Sequence, residues 1–246
     1  MPSTIGSQLI DTGERMIPPA ENEVSFVFAR HRCAYEFASQ YAGQRFVLDV
    51  GCGAGYGCKL LAETAAFVCG IDYDGEAVRY CRRHFAAGNI AYAQMNAAAM
   101  GFHHAFDLAV SFQVIEHVAD AHNFVEQIKR VVKPQGKIII GTLNVPREKQ
   151  MERGNPFHQS EMDYAQFSAL VRAHFSKFEI VGVVYANRNT ARRFLQRLPF
   201  YGWGRRLKRT SFVKKAADRA LDLSKFRITR ERIENAMDMI AICENV

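Results

Sequence analysis

An apolar segment that runs directly into closely spaced glycines is the feature of this chain that most restricts its fold. Residues 47–57 read Val-Leu-Asp-Val-Gly-Cys-Gly-Ala-Gly-Tyr-Gly, which indicates a strand followed by a turn. Glycine adopts positive φ angles and has no Cβ, so backbone N–H groups of such a turn can approach a charged small molecule. Asp49, just before the first glycine, favours a cationic ligand end. A glycine turn without a ligand is the weaker alternative, because each glycine loses backbone entropy on folding.

Two known ligand-binding loops do not fit this turn. The phosphate loop ends in Gly-Lys-Ser/Thr, whereas Gly57 is followed by Cys58 and Lys59. The dinucleotide fingerprint G-x-G-x-x-G is broken from either start, because Tyr56 or Cys58 occupies its last position. The remaining pattern resembles the first motif of the class I S-adenosylmethionine (SAM)-dependent methyltransferases, D-x-G-x-G-x-G, carried here by Asp49, Gly51, Gly53 and Gly55.

A second carboxylate stands where that resemblance predicts one. Residues 66–71 form another apolar segment, which ends at Asp72, 23 residues beyond Asp49. A carboxylate at the tip of the second strand can accept hydrogen bonds from both ribose hydroxyls of an adenosine. Aspartate is common at strand ends, so Asp72 alone is a weak signal. Its spacing from the glycine turn is what makes it a candidate ribose ligand.

Three more segments continue the resemblance along the chain. Residues 106–116 are similar to the family's fourth strand and the loop that meets the methionine end of SAM. Residues 131–143, in which a Lys-Pro-Gln-Gly turn at 133–136 is expected to lead into a strand at 137–142, are similar to its fifth strand. Asn96 and Ala97 stand where the family usually has Asp-Ala facing the adenine amine, which is a departure from the pattern. The matches cover about residues 45–145 and do not indicate which substrate is methylated.

The resemblance implies SAM as the cofactor and S-adenosylhomocysteine as the product. Asp49 and the glycines would face the methionine part, Asp72 the ribose and Tyr73 the adenine. The N-terminal Thr12-Gly-Glu-Arg15 is similar to a leader that lies over the cofactor in some family members; a disordered tail is the alternative. The implied cofactor-binding residues are Arg15, Asp49, Gly51, Cys52, Gly53, Gly55, Asp72, Tyr73, Asn96, Ala97 and Gln113.

Two histidines are the candidate catalytic bases. Methyl transfer from a sulfonium is an in-line displacement, in which positioning can supply roughly 7–11 kcal/mol. A base is needed only if the nucleophile keeps its proton, and histidine titrates near neutral pH. His117 follows the fourth strand, and His158 lies in a Phe-His-x-x-Glu loop similar to that of glycan-type family members. His117 could instead hold its loop, and His158 could order its loop through Glu161. The sequence has no Asp-Asp-Asn metal constellation, so we expect a metal-independent reaction.

Strands and helices alternate between residues 46 and 143, which predicts a parallel sheet covered by helices on both faces. Further strands are expected at 178–185 and 236–243, and a helix at 21–41, whose Arg30 and His31 could face the cofactor. The predicted fold is α/β: a Rossmann-like, doubly wound, seven-stranded sheet whose last strand, following the family, runs antiparallel beside the fifth. The expected divisions are an N-terminal arm at 1–20, a SAM-binding core at 21–185, a basic helical insertion or lid at 186–234, and the last strand at 235–246.

The net charge of +7 arises in one segment, because residues 188–230 contain 14 Lys/Arg and only 2 Asp/Glu. Basic helices with interspersed aromatic residues suit either a lid over the active site or contact with an anionic membrane surface or substrate. Nucleic acid is a weaker interpretation, since no recognised RNA- or DNA-binding motif accompanies the charge. The oligomeric state stays open.

Several classes of protein are disfavoured by the remaining features. No apolar run approaches the length of a membrane span, and the N-terminus lacks the pattern of a secretory signal. Six cysteines without a C-x-x-C pair favour reduced thiols in a cytoplasmic protein, with peripheral membrane contact as an option. The predicted function is O-methylation of a hydroxyl on a sugar, glycolipid or natural-product small molecule. The alternatives are N-, C- or carboxyl methylation, or a non-catalytic SAM-binding protein that docks to a membrane or partner through the basic insertion.

Overall fold

The computed structural model describes residues 25–150, 157–186 and 225–246. The strands are β1 Phe46–Val50, β2 Phe67–Asp72, β3 Ile90–Gln94, β4 Phe106–Phe112, β5 Val132–Leu143, β6 Phe178–Tyr185, β7 Phe226–Thr229 and β8 Asp238–Glu244. The helices are α1 Phe26–Ser39, α2 Tyr56–Ala62, α3 Gly75–His84, α4 Ala121–Val131, α5 Arg147–Gln150 and α6 Tyr164–His174. Of the predicted divisions, the N-terminal arm with Arg15 and residues 187–224 of the insertion lie outside the described residues.

All eight strands form one sheet in the order β3-β2-β1-β4-β5-β8-β6-β7. The pairs among β1 to β5 are parallel, and β8 runs antiparallel between β5 and β6. This confirms the predicted α/β class and the antiparallel last strand. Both faces are covered, and Val47, Leu48 and Val50 of β1 are fully buried, as expected for a strand between two layers of helices.

The sheet has eight strands where seven were expected. The additional edge strand, β7, pairs antiparallel with β6 and lies inside the segment predicted to be a helical insertion. Its Phe226 packs against Phe26 and Tyr185, with ring centroids 4.8 and 5.3 Å away. Strand β7 has only four residues, and the sequence around it is rich in basic residues. The sequence therefore indicated a helical insertion here and not a strand. The Ala186 N–H donates to the Lys225 carbonyl over 2.9 Å, so the chain leaves and re-enters the sheet at one point.

A second difference concerns the expected Lys-Pro-Gln-Gly turn at 133–136, which lies within β5. The pairing of β4 with β5 shifts register between Phe106 and Leu108, and Gln135 has a φ of 65°. The irregularity accommodates the proline and glycine without ending the strand.

Aspartates determine where three helices leave the sheet. The side chains of Asp74, Asp120 and Asp163 accept backbone N–H bonds at the first turns of α3, α4 and α6. Such caps satisfy donors that have no partner inside the helix. The helices therefore begin near the edge formed by the carboxyl ends of the parallel strands, which we call the carboxyl edge.

A buried carboxylate joins α1 to the glycine turn. Asp49 has no exposed surface, and it accepts hydrogen bonds from the Tyr35 hydroxyl at 3.0 Å and the Cys58 thiol at 3.1 Å. The Tyr35 ring also covers Gly57, where a Cβ would lie 2.2 Å from the ring. Burial raises the pKa of Asp49 to about 7, although both hydrogen bonds act in the opposite direction.

Asp49→Asn should therefore change how stability depends on pH. A carboxyl whose pKa rises on folding from its usual value of 3.8 binds its proton more tightly in the folded state. Its contribution to stability is present at low pH and is lost as the pH rises towards 7. Each unit of pKa shift corresponds to about 1.4 kcal/mol. As the pH rises from 3.8 to about 7, urea denaturation should show that the free energy of unfolding of the wild type falls relative to that of the variant. Parallel pH profiles would contradict the assignment.

Candidate active site

The glycine turn adopts backbone conformations that require glycine. Gly51, Gly53 and Gly55 have φ values of 76°, 52° and 82°, in the left-handed region. A Cβ on Gly51 would lie 2.3 Å from a methyl carbon of Val114, on the loop after β4. The turn therefore depends both on the left-handed conformation and on the close approach of a neighbouring loop.

The amides of this turn are engaged inside the protein. The N–H groups of Gly51 and Cys52 donate to the Ile71 carbonyl at 2.8 and 2.9 Å, and the Gly53 N–H donates to Asp72 Oδ2 at 2.9 Å. The expectation that these N–H groups meet a ligand is wrong for these three, because the turn folds down onto the end of β2. The glycines provide left-handed backbone conformations and close packing against neighbouring side chains rather than a row of amide donors.

Asp72 and Tyr73 follow each other at the end of β2. Asp72 is 8% exposed, and its Oδ1 accepts the Asp74 N–H at 2.9 Å while Oδ2 is held by the turn. Tyr73 is 79% exposed, and Gln94 fixes its carbonyl through a 2.9 Å hydrogen bond. A fixed carboxylate beside an exposed aromatic ring can bind a hydroxylated sugar and stack against an attached base.

Three further residues predicted to bind the cofactor lie after neighbouring strands. Asn96 follows β3, and its Oδ1 accepts the Ala98 N–H at 2.9 Å; Ala97 beside it is partly buried against the core. Gln113 follows β4 with a φ of 58°, and its N–H donates to the Gly141 carbonyl. The carboxyl edge thus brings together the predicted residues from β1 to β4, with one difference: the Asp49 carboxylate faces inward beneath the turn.

His117 and His158 come together although they are far apart in sequence. Their ring centroids are 4.9 Å apart with the rings at 75°. The Gln159 N–H donates to the Glu116 carbonyl at 2.7 Å, and His117 Nδ1 lies 3.1 Å from the Phe157 carbonyl. These contacts join the segment after β4 to the loop before α6.

His158 is oriented by a carboxylate. Its Nδ1 lies 2.7 Å from Glu161 Oε1, and the two side chains are 11% and 7% exposed. A carboxylate that holds one ring nitrogen directs the other towards a reacting group, as general-base catalysis requires.

Sequence reasoning missed two buried carboxyl groups nearby. Glu116 is 1% exposed and accepts the Thr142 hydroxyl at 3.0 Å; burial raises its pKa to about 7. The charge of His158 lowers this pKa and that of Asp238 raises it. Asp238 is 3% exposed, lies 3.1 Å from Arg30 Nε, and has its pKa raised to about 6 by burial. An aspartate interrupting the apolar residues of the last strand was the available signal.

His31 on α1 is a third buried ionisable group at this edge. Its Nδ1 is hydrogen-bonded to the Tyr56 hydroxyl at the start of α2. Burial lowers the pKa of His31 to about 4, despite the opposing effect of the Phe112 carbonyl, so the ring is neutral at pH 7. The two rings extend the link between α1 and the glycine turn.

Within residues 25–150, 157–186 and 225–246, no three His, Cys, Asp or Glu side chains are arranged to hold a metal ion. All six cysteines are free thiols. Among the helices in those ranges, none has the length and apolar character needed to cross a bilayer.

Comparison with known sequences extends the resemblance well beyond the glycine turn. Residues 48–140 match the family described as methyltransferase domain. A probable S-adenosylmethionine-dependent methyltransferase of Mycolicibacterium smegmatis is 34% identical over 194 residues, covering 74% of this chain and 72% of the relative. A ubiquinone biosynthesis O-methyltransferase of Bartonella tribocorum is 34% identical over 101 residues, covering 40% of this chain and 41% of that protein.

Solved structures share the fold at low sequence identity. The YcgJ protein of Bacillus subtilis superposes with a TM-score of 0.59 at 14% identity, covering 87% of this chain and 98% of its own. The N-methyltransferase NodS of Bradyrhizobium japonicum, in complex with S-adenosyl-L-homocysteine, gives 0.57 at 14% identity, covering 92% and 89%. The relative that is 34% identical across most of both chains shows the family, and this protein belongs to the S-adenosylmethionine-dependent methyltransferases.

Proposed function

We propose that this methyltransferase methylates a hydroxyl group of a sugar, a glycolipid or a natural-product small molecule. The observation that carries the proposal is the pairing of His158 with Glu161 at the carboxyl edge. Sugar and aliphatic hydroxyls keep their proton at neutral pH, so their methylation needs a base, whereas a carboxylate acceptor needs none. The O-methyltransferase name of one group of relatives is in keeping with this choice.

The cofactor assignment follows the shape of the glycine turn. The left-handed conformations of Gly51, Gly53 and Gly55, and the close packing of Gly51 against Val114, give this turn its shape, and we assign Gly51, Cys52, Gly53 and Gly55 to the methionine part of SAM. Asp49 supports the turn from beneath and has no exposed surface with which to meet the ligand.

The adenosine part is assigned to the ends of β2 and β3. The backbone N–H groups of Gly53 and Asp74 donate to the two oxygens of Asp72 and fix the carboxylate at the end of β2, where we assign it to the ribose hydroxyls. Tyr73 would stack on the adenine, and Asn96 and Ala97 would lie at its edge. Gln113 would lie near the methyl donor. The assignment of Arg15 stays a prediction, because that residue lies outside the described part of the chain.

When bound, SAM supplies a methyl group already activated by the sulfonium charge. His158 Nε2 accepts the proton of the acceptor hydroxyl while Nδ1 keeps its hydrogen bond to Glu161, whose carboxylate stabilises the charged ring. Gly51, Gly53 and Asp72 would hold SAM so that its methyl group could pass to the hydroxyl oxygen from which His158 takes the proton. His117, packed edge-on against His158, is the second candidate base; its contact with the Phe157 carbonyl also suits a role in holding the loop.

The surroundings of this site extend into residues that the structure does not describe. We retain the proposals of an N-terminal arm over the cofactor and of a basic insertion that contacts the acceptor or an anionic membrane surface. A cytoplasmic location and the limits of the insertion are part of the same proposal.

Asp72→Ala should weaken binding of S-adenosylhomocysteine strongly. Hydrogen bonds to a charged group contribute about 1.5–3 kcal/mol each, so the loss of even one predicts at least a tenfold higher Kd by calorimetry. Asp120→Ala, which removes the cap of α4 away from the turn, should leave the Kd unchanged. Equal affinity in the Asp72 variant and the wild type would refute the ribose assignment.

His158→Gln should lower turnover and spare the cofactor. Loss of a general base predicts a decrease in kcat of about 10²–10⁴-fold, with an unchanged Kd for S-adenosylhomocysteine. Glu161→Gln should show a smaller decrease, since it acts through His158. His84→Gln on α3 is the control. Full activity in the His158 variant together with loss of activity in His117→Gln would transfer the role of base to His117.

A further inference from the structure

The polar side-chain atoms that lack a partner are concentrated at one place. In the described part of the chain, five buried side-chain nitrogen or oxygen atoms have no hydrogen bond, and all five belong to residues at the carboxyl edge. They are Arg30 Nε, His31 Nε2, Glu116 Oε1, Glu161 Oε2 and Asp238 Oδ1, although the Phe112 carbonyl interacts with His31. Folded proteins pair nearly all such atoms, so a cluster of exceptions requires an explanation.

Four separate segments bring these atoms together. Arg30 and His31 come from α1, Glu116 follows β4, Glu161 lies in the loop before α6, and Asp238 begins β8. The antiparallel direction of β8 places its first residue opposite Leu143, at the end of β5. The cluster is therefore a product of the tertiary fold and not of local sequence.

Distances and charges connect the members to one another and to the proposed base. Arg30 Nε lies 3.1 Å from Asp238 Oδ2 but makes no directed hydrogen bond. Glu161 Oε1 holds His158 at 2.7 Å, which leaves its Oε2 unpaired. The charges of both Asp238 and His158 act on Glu116. The unpaired oxygens of Glu116 and Asp238 thus belong to the same cluster of side chains as His158, whereas Glu161 Oε2 lies on the Nδ1 side of the His158 ring.

We propose that Glu116 and Asp238 form the acceptor-recognition part of this active site and that they bind a ligand with neighbouring hydroxyl groups. The inference rests on the proposed function and deepens it: one hydroxyl meets His158, and the adjacent one donates a hydrogen bond to Glu116 Oε1. A polar group further along the ligand contacts Asp238 and Arg30.

The chemistry of the unpaired atoms selects hydroxyl groups over other partners. Ionised carboxylate oxygens accept hydrogen bonds, a protonated carboxyl also donates one, and Arg30 Nε donates. A hydroxyl can meet each of these groups because it both donates and accepts. An ammonium group could satisfy the carboxylates but could not accept from Arg30. A ligand carboxylate or phosphate at this end would meet three carboxyl groups and one guanidinium. The reacting end of the acceptor is therefore a neutral vicinal diol.

Burying these carboxyl groups lowers the stability of the folded protein. A buried carboxylate oxygen without a partner destabilises the free protein, and functional sites retain such groups when a ligand needs them. The Thr142 hydroxyl donates to Glu116 Oε2, and the backbone N–H of Glu116 also acts on the carboxyl, so the group is held in place from within the protein. This arrangement suits a recognition residue better than a structural one.

The test measures release of S-adenosylhomocysteine by the full chain with paired acceptors. Catechol and methyl α-D-glucopyranoside are the vicinal diols, phenol and cyclohexanol the single-hydroxyl counterparts, and D-glucuronate the anionic one. At least one diol should be methylated with a kcat/KM about tenfold or more above its counterpart, as expected for a hydrogen bond to a charged group. D-Glucuronate should not be methylated.

Substitutions test whether Glu116 and Asp238 are responsible for the preference for diols. Glu116→Gln should raise the KM of the accepted diol about tenfold or more, with an unchanged Kd for S-adenosylhomocysteine. Asp238→Asn should act in the same direction and serves as the second variant if Glu116→Gln does not fold. Glu126→Gln, a carboxylate on α4 with a side chain 53% exposed, is the matched control and should change neither value.

Three results would overturn the inference: no methylation of either diol by a chain that binds S-adenosylhomocysteine, equal rates with the single-hydroxyl counterparts, or an unchanged KM in folded Glu116→Gln. Absence of S-adenosylhomocysteine binding would instead overturn the proposed function, and calorimetry separates this outcome from the other three.

Discussion

The buried carboxylate of Asp49 is the interaction on which the cofactor end of this molecule depends. Tyr35 from α1 and Cys58 from α2 both donate to it, so one group connects a strand and two helices beneath the glycine turn. The turn itself then needs little from its own amides, since those of Gly51 and Cys52 are tied to the end of β2. The acidic residue of the motif therefore acts here as an anchor inside the protein, and the glycines above it supply the left-handed conformations that the turn requires.

The sequence predicted the part of the fold that repeats a local pattern. Apolar strands followed by glycine or aspartate placed Gly51, Asp72 and Gln113 at one sheet edge, because parallel strands end there together. The antiparallel β8 beside β5 followed from the family resemblance. Each of these features depends on a short stretch of sequence. It can therefore be predicted without knowing which distant residues are in contact.

What the sequence did not predict depends on tertiary contacts. The N–H groups of Gly51 and Cys52 point towards the Ile71 carbonyl, which is distant in sequence. Glu116 and Asp238 come near each other only because β4 and β8 both pair with β5. Strand β7 has four residues, and its pairing with β6 is what gives it a strand conformation. The joining of His117 to His158 was likewise invisible, although each residue was a candidate alone, because the contact crosses some 40 positions of the chain.

The bond between Ala186 and Lys225 has a consequence for how this enzyme could change over evolution. It closes the path of residues 187–224 at a single point of the sheet, next to β6 and β7 and outside the strands that carry the glycine turn and Asp72. The entropy of closing a loop rises only slowly with its length. The pairing of β6 with β7 therefore does not require a particular number of residues in that interval, so insertions or deletions there would add little loop-closure entropy to the cost of forming this edge of the sheet.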